Sequence, residues 1–132
     1  MQEIQKGQEI MVRKVITAKP TSNLTEIARL MRKNHIGSVI ILRDHKPVGI
    51  LTESDFIKLV ARGTDMKNAL AEDFMHRNVV TCDPSITVID ALMVMRAERI
   101  RHLPVVKNGR LVGVISIRDL IAATQFSSFY VI

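Results

Sequence analysis

The sequence predicts a mixed α/β protein made of two β-α-β-β-α repeats whose sheets pack together into one body. Three observations carry this. First, "VGILTESDFI" at residues 48–57 returns as "VGVISIRDLI" at 112–121, an offset of 64. At that offset residues 11–57 lie on 75–121 without a gap. Identities include Met11/Met75, Arg13/Arg77, Val15/Val79, Thr17/Thr81, Pro20/Pro84, Met31/Met95, Ile36/Ile100, Gly49/Gly113 and Asp55/Asp119. Register held over such a length marks an internal duplication. Second, each copy alternates short β-branched runs with a helical apolar stripe. Third, a half of about 60 residues buries too little apolar surface to be stable alone, so the two copies are expected to pack their sheets together.

Residues 1–10 read as an N-terminal extension, 11–60 as the first repeat, 61–74 as a linker with a short helical turn, and 75–121 as the second repeat. Each repeat opens on a short strand, "KVITA" or "NVVTC", closed by Pro20 or Pro84. An amphipathic helix follows. Asn23 and Thr87 stand as N-caps with Glu26 and Asp90 three residues on. Ile27, Leu30 and Met31 in one copy, and Ala91, Leu92 and Met95 in the other, supply the apolar face. "SVIILRDHKPVGILT" and "LPVVKNGRLVGVIS" each read as strand, tight turn, strand. Asn108-Gly109 signals a type I′ hairpin, whereas "DHKP" is expected to turn by other means. Second helices start at Glu53 and Ile117, and residues 122–132 extend the last one into an apolar tail. That tail either covers the core or forms a contact surface.

Apolar residues are 47% and charged residues 24% of the 132, ordinary values for a globular chain. No run approaches ~18 uninterrupted apolar residues, so a membrane span is not expected. The first ten residues lack the apolar run of a signal peptide, which points to the cytoplasm. A lone Cys82 can form neither an internal disulfide nor a cysteine-rich metal site. His35, His45, His76 and His102 lack close ligand spacing, so no zinc site is expected. Met31, Met93 and Met95 read as core filler. The net charge of +6 favours anionic partners in general. Aromatics are 4%, too few for stacking single-stranded bases.

The repeated motif admits two readings. Thr52 with Asp55, and Ser116 with Asp119, have the spacing of a capping box at a strand-to-helix junction, with Gly49 and Gly113 permitting a crowded backbone. The same geometry suits ligand binding. A helix N-terminus attracts anions, a hydroxyl there donates to a phosphate or sugar oxygen, and a carboxylate one turn in accepts from a vicinal diol such as a ribose. Both copies use Asp where Glu or Gln would also complete the box, which favours the second reading.

The G-h-h-[ST]-x-x-D-h signature, the "M…V-h-T…P" opening and the "IRHLPVV" strand resemble paired cystathionine-β-synthase (CBS) domains over roughly residues 11–121. The resemblance implies a Bateman module. That is a pair with pseudo-twofold symmetry, adenosine-containing ligands in clefts between the repeats, and association into four-repeat discs, here as a homodimer. It implies a first cleft in which Asp55 and Thr52 hold ribose or phosphate, Ile50, Val80 and Pro104 line the base, and Arg101 and His102 reach phosphates. It implies a second in which Asp119 and Ser116 take the polar roles, Val114, Ile16, Thr17, Pro20 and Val39 frame the base, and Arg118 adds charge. Since Arg101-His102 aligns with Gly37-Ser38, the first cleft is expected to suit a phosphorylated ligand better. The bland reading of Arg101, with Arg96 and Arg99, is a solvated basic face; that of His102 is a satisfied, half-buried side chain. Arg13, Lys14 and Arg77 read as surface charges.

The sequence contains no P-loop, dinucleotide glycine fingerprint or nucleophile elbow, so an enzyme is not expected. The leading reading is a regulatory sensor of AMP, ADP or ATP, with S-adenosylmethionine or NAD as substitutes, no required cofactor, and a separate protein as the regulated partner. The alternatives are a nucleic-acid-binding or scaffold protein using the basic charge, and a structural dimer with empty clefts.

Overall fold

The computed structural model describes residues 5–123, so most of the expected C-terminal tail lies outside the described residues. In chain order the elements are α1 (Gly7–Ile10), β1 (Thr17–Ala18), α2 (Leu24–Asn34), β2 (Ser38–Arg43), β3 (Lys46–Thr52), α3 (Glu53–Ala61), α4 (Ala71–Phe74), α5 (Val88–Glu98), β4 (His102–Lys107), β5 (Arg110–Ser116) and α6 (Ile117–Ala123). They form two compact units. One is residues 16–79; the other joins the chain up to residue 15 with the chain from residue 80 on. The helix ahead of each repeat is therefore housed with the opposite repeat.

In the unit 16–79, β1 pairs parallel with β2, and β2 pairs antiparallel with β3. Asn23 caps α2 by accepting from the Glu26 N–H at 2.8 Å, while its amide donates to Glu26 Oε1 at 3.2 Å. The Glu therefore serves the capping side chain and not the backbone. The helix closes at His35 in a left-handed conformation, φ 53°, with the Ile36 N–H donating to the Met31 carbonyl at 3.0 Å. Leu24, Ile27 and Met31 of α2 pack with Val39, Ile41, Leu51, Phe56, Leu59, Ala71 and Met75. Leu24 at the first helical position takes the core place expected of Leu30, which is half-buried outside the cluster. The pleat explains which strand residues enter: alternate side chains of β2 share one face, so Val39 and Ile41 go in together.

The other unit repeats this plan with different volumes. Thr87 caps α5 through the Asp90 N–H at 3.1 Å, and Arg99 closes it at φ 57°. Val88, Ala91, Met95, Leu103, Val105, Ile115 and Leu120 form its core. Ala91 and Leu120 stand where Ile27 and Phe56 do, and Leu92, Val94 and Ile117 pack against the cluster from its margin.

Three local expectations need correction. Met93, expected to fill the core with Met31 and Met95, is exposed on α5. The first strand is only two residues long in one repeat, and in the other it is a single parallel bridge, Cys82 to Val105. Pro104 stands where Ile40 does and has no N–H to extend the ladder. The "DHKP" turn also uses the same geometry as Asn108-Gly109. Asp44 and His45 have φ of 52° and 67°, Asn108 and Gly109 of 52° and 77°. Both hairpins therefore have two left-handed central residues, the type I′ requirement, and the first meets it without glycine.

The repeated glycines are explained by packing. A Cβ at Gly49 would come within 2.6 Å of Met75 Cγ, and one at Gly113 within 2.8 Å of Met11 Cγ. Each glycine thus admits the repeated methionine of the segment docked on its sheet. That docking is the same in both units. Ala71 and Glu72 N–H groups donate to the Ser22 and Pro20 carbonyls at 2.8 and 3.0 Å; Gly7 and Gln8 donate to Ile86 and Pro84 at 2.7 and 3.0 Å. Arg77 and Arg13, read as surface charges, each reach back to a carbonyl of the docked helix, Glu72 at 2.7 Å and Gln8 at 3.2 Å.

Candidate functional site

The strand-to-helix junctions hold the candidate polar residues, one junction per unit. In the unit 16–79, β3 ends at Thr52 and α3 begins at once. The Glu53 N–H donates to the Gly37 carbonyl at 3.0 Å, which fixes the turn into the helix. Asp55 Oδ2 accepts from the Thr52 N–H at 2.8 Å and from Thr52 Oγ1 at 3.0 Å, and the Asp55 N–H reaches Thr52 Oγ1 at 3.4 Å. The capping box is therefore closed. The second carboxylate oxygen, Oδ1, lies 2.7 Å from His76 Nε2. An ionised carboxylate only accepts, so Nε2 carries the proton in this contact.

Burial pushes the Asp55 carboxyl up, but the hydrogen bonds from His76 and from the Thr52 backbone and hydroxyl outweigh it, leaving it below its ordinary 3.8. His76 is delivered by the chain after α4, whose backbone pairs with Ile50 through two 3.0 Å hydrogen bonds.

The other unit builds the same junction with Ser116 and Asp119. The Ile117 N–H donates to the Arg101 carbonyl at 2.9 Å, the Ser116 N–H to Asp119 Oδ2 at 3.0 Å, and the Asp119 N–H to Ser116 Oγ at 3.1 Å. At the place of His76 stands Val12, bonded to Val114 by the same backbone pair at 2.9 and 3.0 Å. Among the described residues, Asp119 Oδ1 has no hydrogen-bond partner.

The remaining candidates divide between the units. Ile16, Thr17, Pro20, Val39 and Ile50 belong with Thr52 and Asp55; Val80, Arg101, His102, Pro104, Val114 and Arg118 belong with Ser116 and Asp119. Val39 is fully buried in its own unit's core and so is not available there to frame a ligand, and Pro20 and Pro104, expected beside a base, are buried as well. Ile40, on the opposite face of β2 and paired with Ile50, occupies the position that Pro104, paired with Val114, holds in the other unit. Arg101 and Arg118 are exposed, and His102 is half-buried at the start of β4. Cys82 is half-buried, and burial together with Asp83 pushes its thiol up to about 11, so it is no thiolate at neutral pH. No three His, Cys, Asp or Glu side chains among the described residues gather as a metal site would require, and no described helix is long and apolar enough to cross a membrane.

Sequence reasoning missed His76. It weighed this histidine only as a metal ligand, and the one available signal was that the aligned position in the other repeat holds valine.

Comparison with known proteins agrees with this architecture. The CBS domain family model matches residues 7–62 and 71–125. An uncharacterized protein of Methanopyrus kandleri is 38% identical over 121 residues; the match covers 89% of this chain and 62% of that protein, so this chain spans under two thirds of that relative. An inosine-5′-monophosphate dehydrogenase of Thermoplasma acidophilum is 28% identical over 127 residues, 96% of this chain but 25% of the enzyme. Among solved structures, a CBS-domain containing protein from Agrobacterium tumefaciens superposes with a TM-score of 0.83 at 31% identity, covering 91% of this chain and 99% of that one.

Proposed function

This chain belongs to the CBS-domain family, carrying its domain twice, and we propose that it is a regulatory module whose Asp55 and Asp119 receive the ribose diol of an adenine nucleotide. The observation that carries this reading is the division of labour within each carboxylate. In both units Oδ2 alone closes the helix cap; Oδ1 of Asp119 has no partner among the described residues, and Oδ1 of Asp55 meets the exposed His76 side chain. A purely structural cap needs only the first oxygen. The half-buried position at a helix start, beside a hydroxyl, suits a sugar with an attached phosphate. The match to a quarter of a much longer dehydrogenase supports a regulatory role, because the pair there accompanies an enzyme without making up its bulk.

AMP, ADP and ATP fit this chemistry equally, and S-adenosylmethionine and NAD present the same ribose. Signalling then requires that the ligand favour one conformation or assembly over another. Ile57 and Val60 on α3, and Ile89 and Met93 on α5, are all at least 60% exposed, which supports self-association through these helices as a homodimer.

Thermal unfolding with each of the five ligands tests the reading. A ligand at ~100 times its dissociation constant adds roughly 2.7 kcal/mol, a clear rise in midpoint. The expected rise disappears in the double variant Asp55→Asn/Asp119→Asn. No rise with any ligand would turn the reading towards the basic surface, to be tested by a salt-dependent nucleic-acid titration.

A further inference from the structure

We propose that His76 sets the order in which the two carboxylate sites fill: the Asp119 site takes a vicinal diol first, and the Asp55 site takes one only when the imidazole is displaced. This rests on the diol reading above and adds the residue that makes the two sites unequal.

The argument is a count of acceptor positions. An ionised carboxylate offers about four. Asp55 spends three of them, on the Thr52 N–H at 2.8 Å, Thr52 Oγ1 at 3.0 Å and His76 Nε2 at 2.7 Å. Asp119 spends one among the described residues, on the Ser116 N–H at 3.0 Å. A vicinal diol needs two. At Asp119 they are available without loss; at Asp55 an existing bond must break first.

Which bond yields follows from the surroundings. The Thr52 N–H is held at the end of β3, and the Thr52 hydroxyl belongs to the cap. The His76 side chain is 63% exposed against 12% for Asp55, so the imidazole can turn into water and recover its hydrogen bond there. Its backbone stays paired with Ile50, so displacement is a side-chain rotation and not a movement of the segment. In the other unit Val12 has the same backbone pairing and no hydrogen-bonding side chain, so among the described residues none competes there with a ligand for Oδ1 of Asp119. The order is the reverse of the one suggested by Arg101 and His102 alone.

Calorimetry with AMP on the whole chain, paired with NMR of the His76 ring at fixed pH, tests this. The expected result is two unequal binding events, the tighter removed by Asp119→Asn. In that background His76→Val, which copies the residue of the other half, should tighten the remaining event by on the order of tenfold, the value of one charge-assisted bond to an exposed partner. His76→Ala repeats the test if the valine variant folds poorly. Asp55→Asn should shift the His76 ring resonances whether or not a ligand binds. AMP binding tightest at Asp55, or a remaining event that ignores both His76 substitutions, would overturn the order and leave the diol reading intact. Absence of binding in every variant, with the ring resonances still responding to Asp55→Asn, would overturn the diol reading and the order with it.

Discussion

Asp55 and Asp119 occupy the same place in two copies of one motif, yet among the described residues one carboxylate holds three hydrogen bonds and the other one. Three devices that hold the backbone around the junction are shared between the copies: the hydroxyl cap, the glycine against a methionine, and the arginine reaching back to the docked helix. The divergence lies one step further out, where His76 faces Val12 across the alignment. A duplicated site can therefore keep its geometry and still lose its equivalence, because a single side chain on the docked segment decides what the carboxylate has left to offer.

The comparison can be broken most severely at its shared glycines. Gly49→Val and Gly113→Val each drive a side chain into a methionine, and overpacking of this kind costs about 1–3 kcal/mol. Urea unfolding should show both losses, and adding Met75→Ala to the first should recover part of it. Recovery by Met11→Ala instead would contradict the docking described here.

A smaller effect separates the caps. Thr52→Ala and Ser116→Ala each remove an N-cap, at a cost of typically ~1 kcal/mol. Thr52→Ala should cost more, because its hydroxyl also donates to Asp55 while that of Ser116 makes no such bond among the described residues. Equal losses would mean that the donated bond contributes nothing.

Acid sharpens the picture at Asp55. Its carboxyl is held below 3.8 by His76 and Thr52, so its contribution is fully present above that pH and is lost as pH falls through the depressed folded value. The stability gap between the wild type and Asp55→Asn should therefore close as pH falls below about 4. Denaturant titrations at stepped pH measure it; a gap that widens below about pH 4 would refute the assignment.

The smallest expected change in stability is at the exposed apolar residues. Val60→Glu and Met93→Glu touch no core and should shift unfolding within ±0.5 kcal/mol. Sedimentation velocity should nonetheless show weakened self-association, and an unchanged distribution would remove these helices from the proposed interface.

Much of the fold was legible because its signals are local. The offset of 64 located both motifs, the [ST]-x-x-D spacing placed both capping boxes, and the second helices start at the residues expected, Glu53 and Ile117. The first hairpin was misread because its turn draws on Asp44 and His45, which reach the left-handed region without the glycine that normally announces it. The short first strands were overread because β-branched composition states a preference, while pairing needs donors that Pro104 lacks. Val39 was misplaced because composition does not say which face of a strand looks inward; one residue along, Ile40, faces the other way.

By itself, then, the amino-acid sequence determined the repeat, the element order, the capped junctions and the paired aspartates. Each depends on residues within a few positions of one another, where backbone propensity and side-chain reach decide the outcome. Only the tertiary structure decided that the segment after α4 docks beside β3 and carries His76 to 2.7 Å from Asp55, 21 residues away in sequence. That contact depends on a methionine filling the space of a missing Cβ and on two backbone hydrogen bonds to Ile50. Packing between distant segments brings such groups together, and no local preference of either residue foretells it.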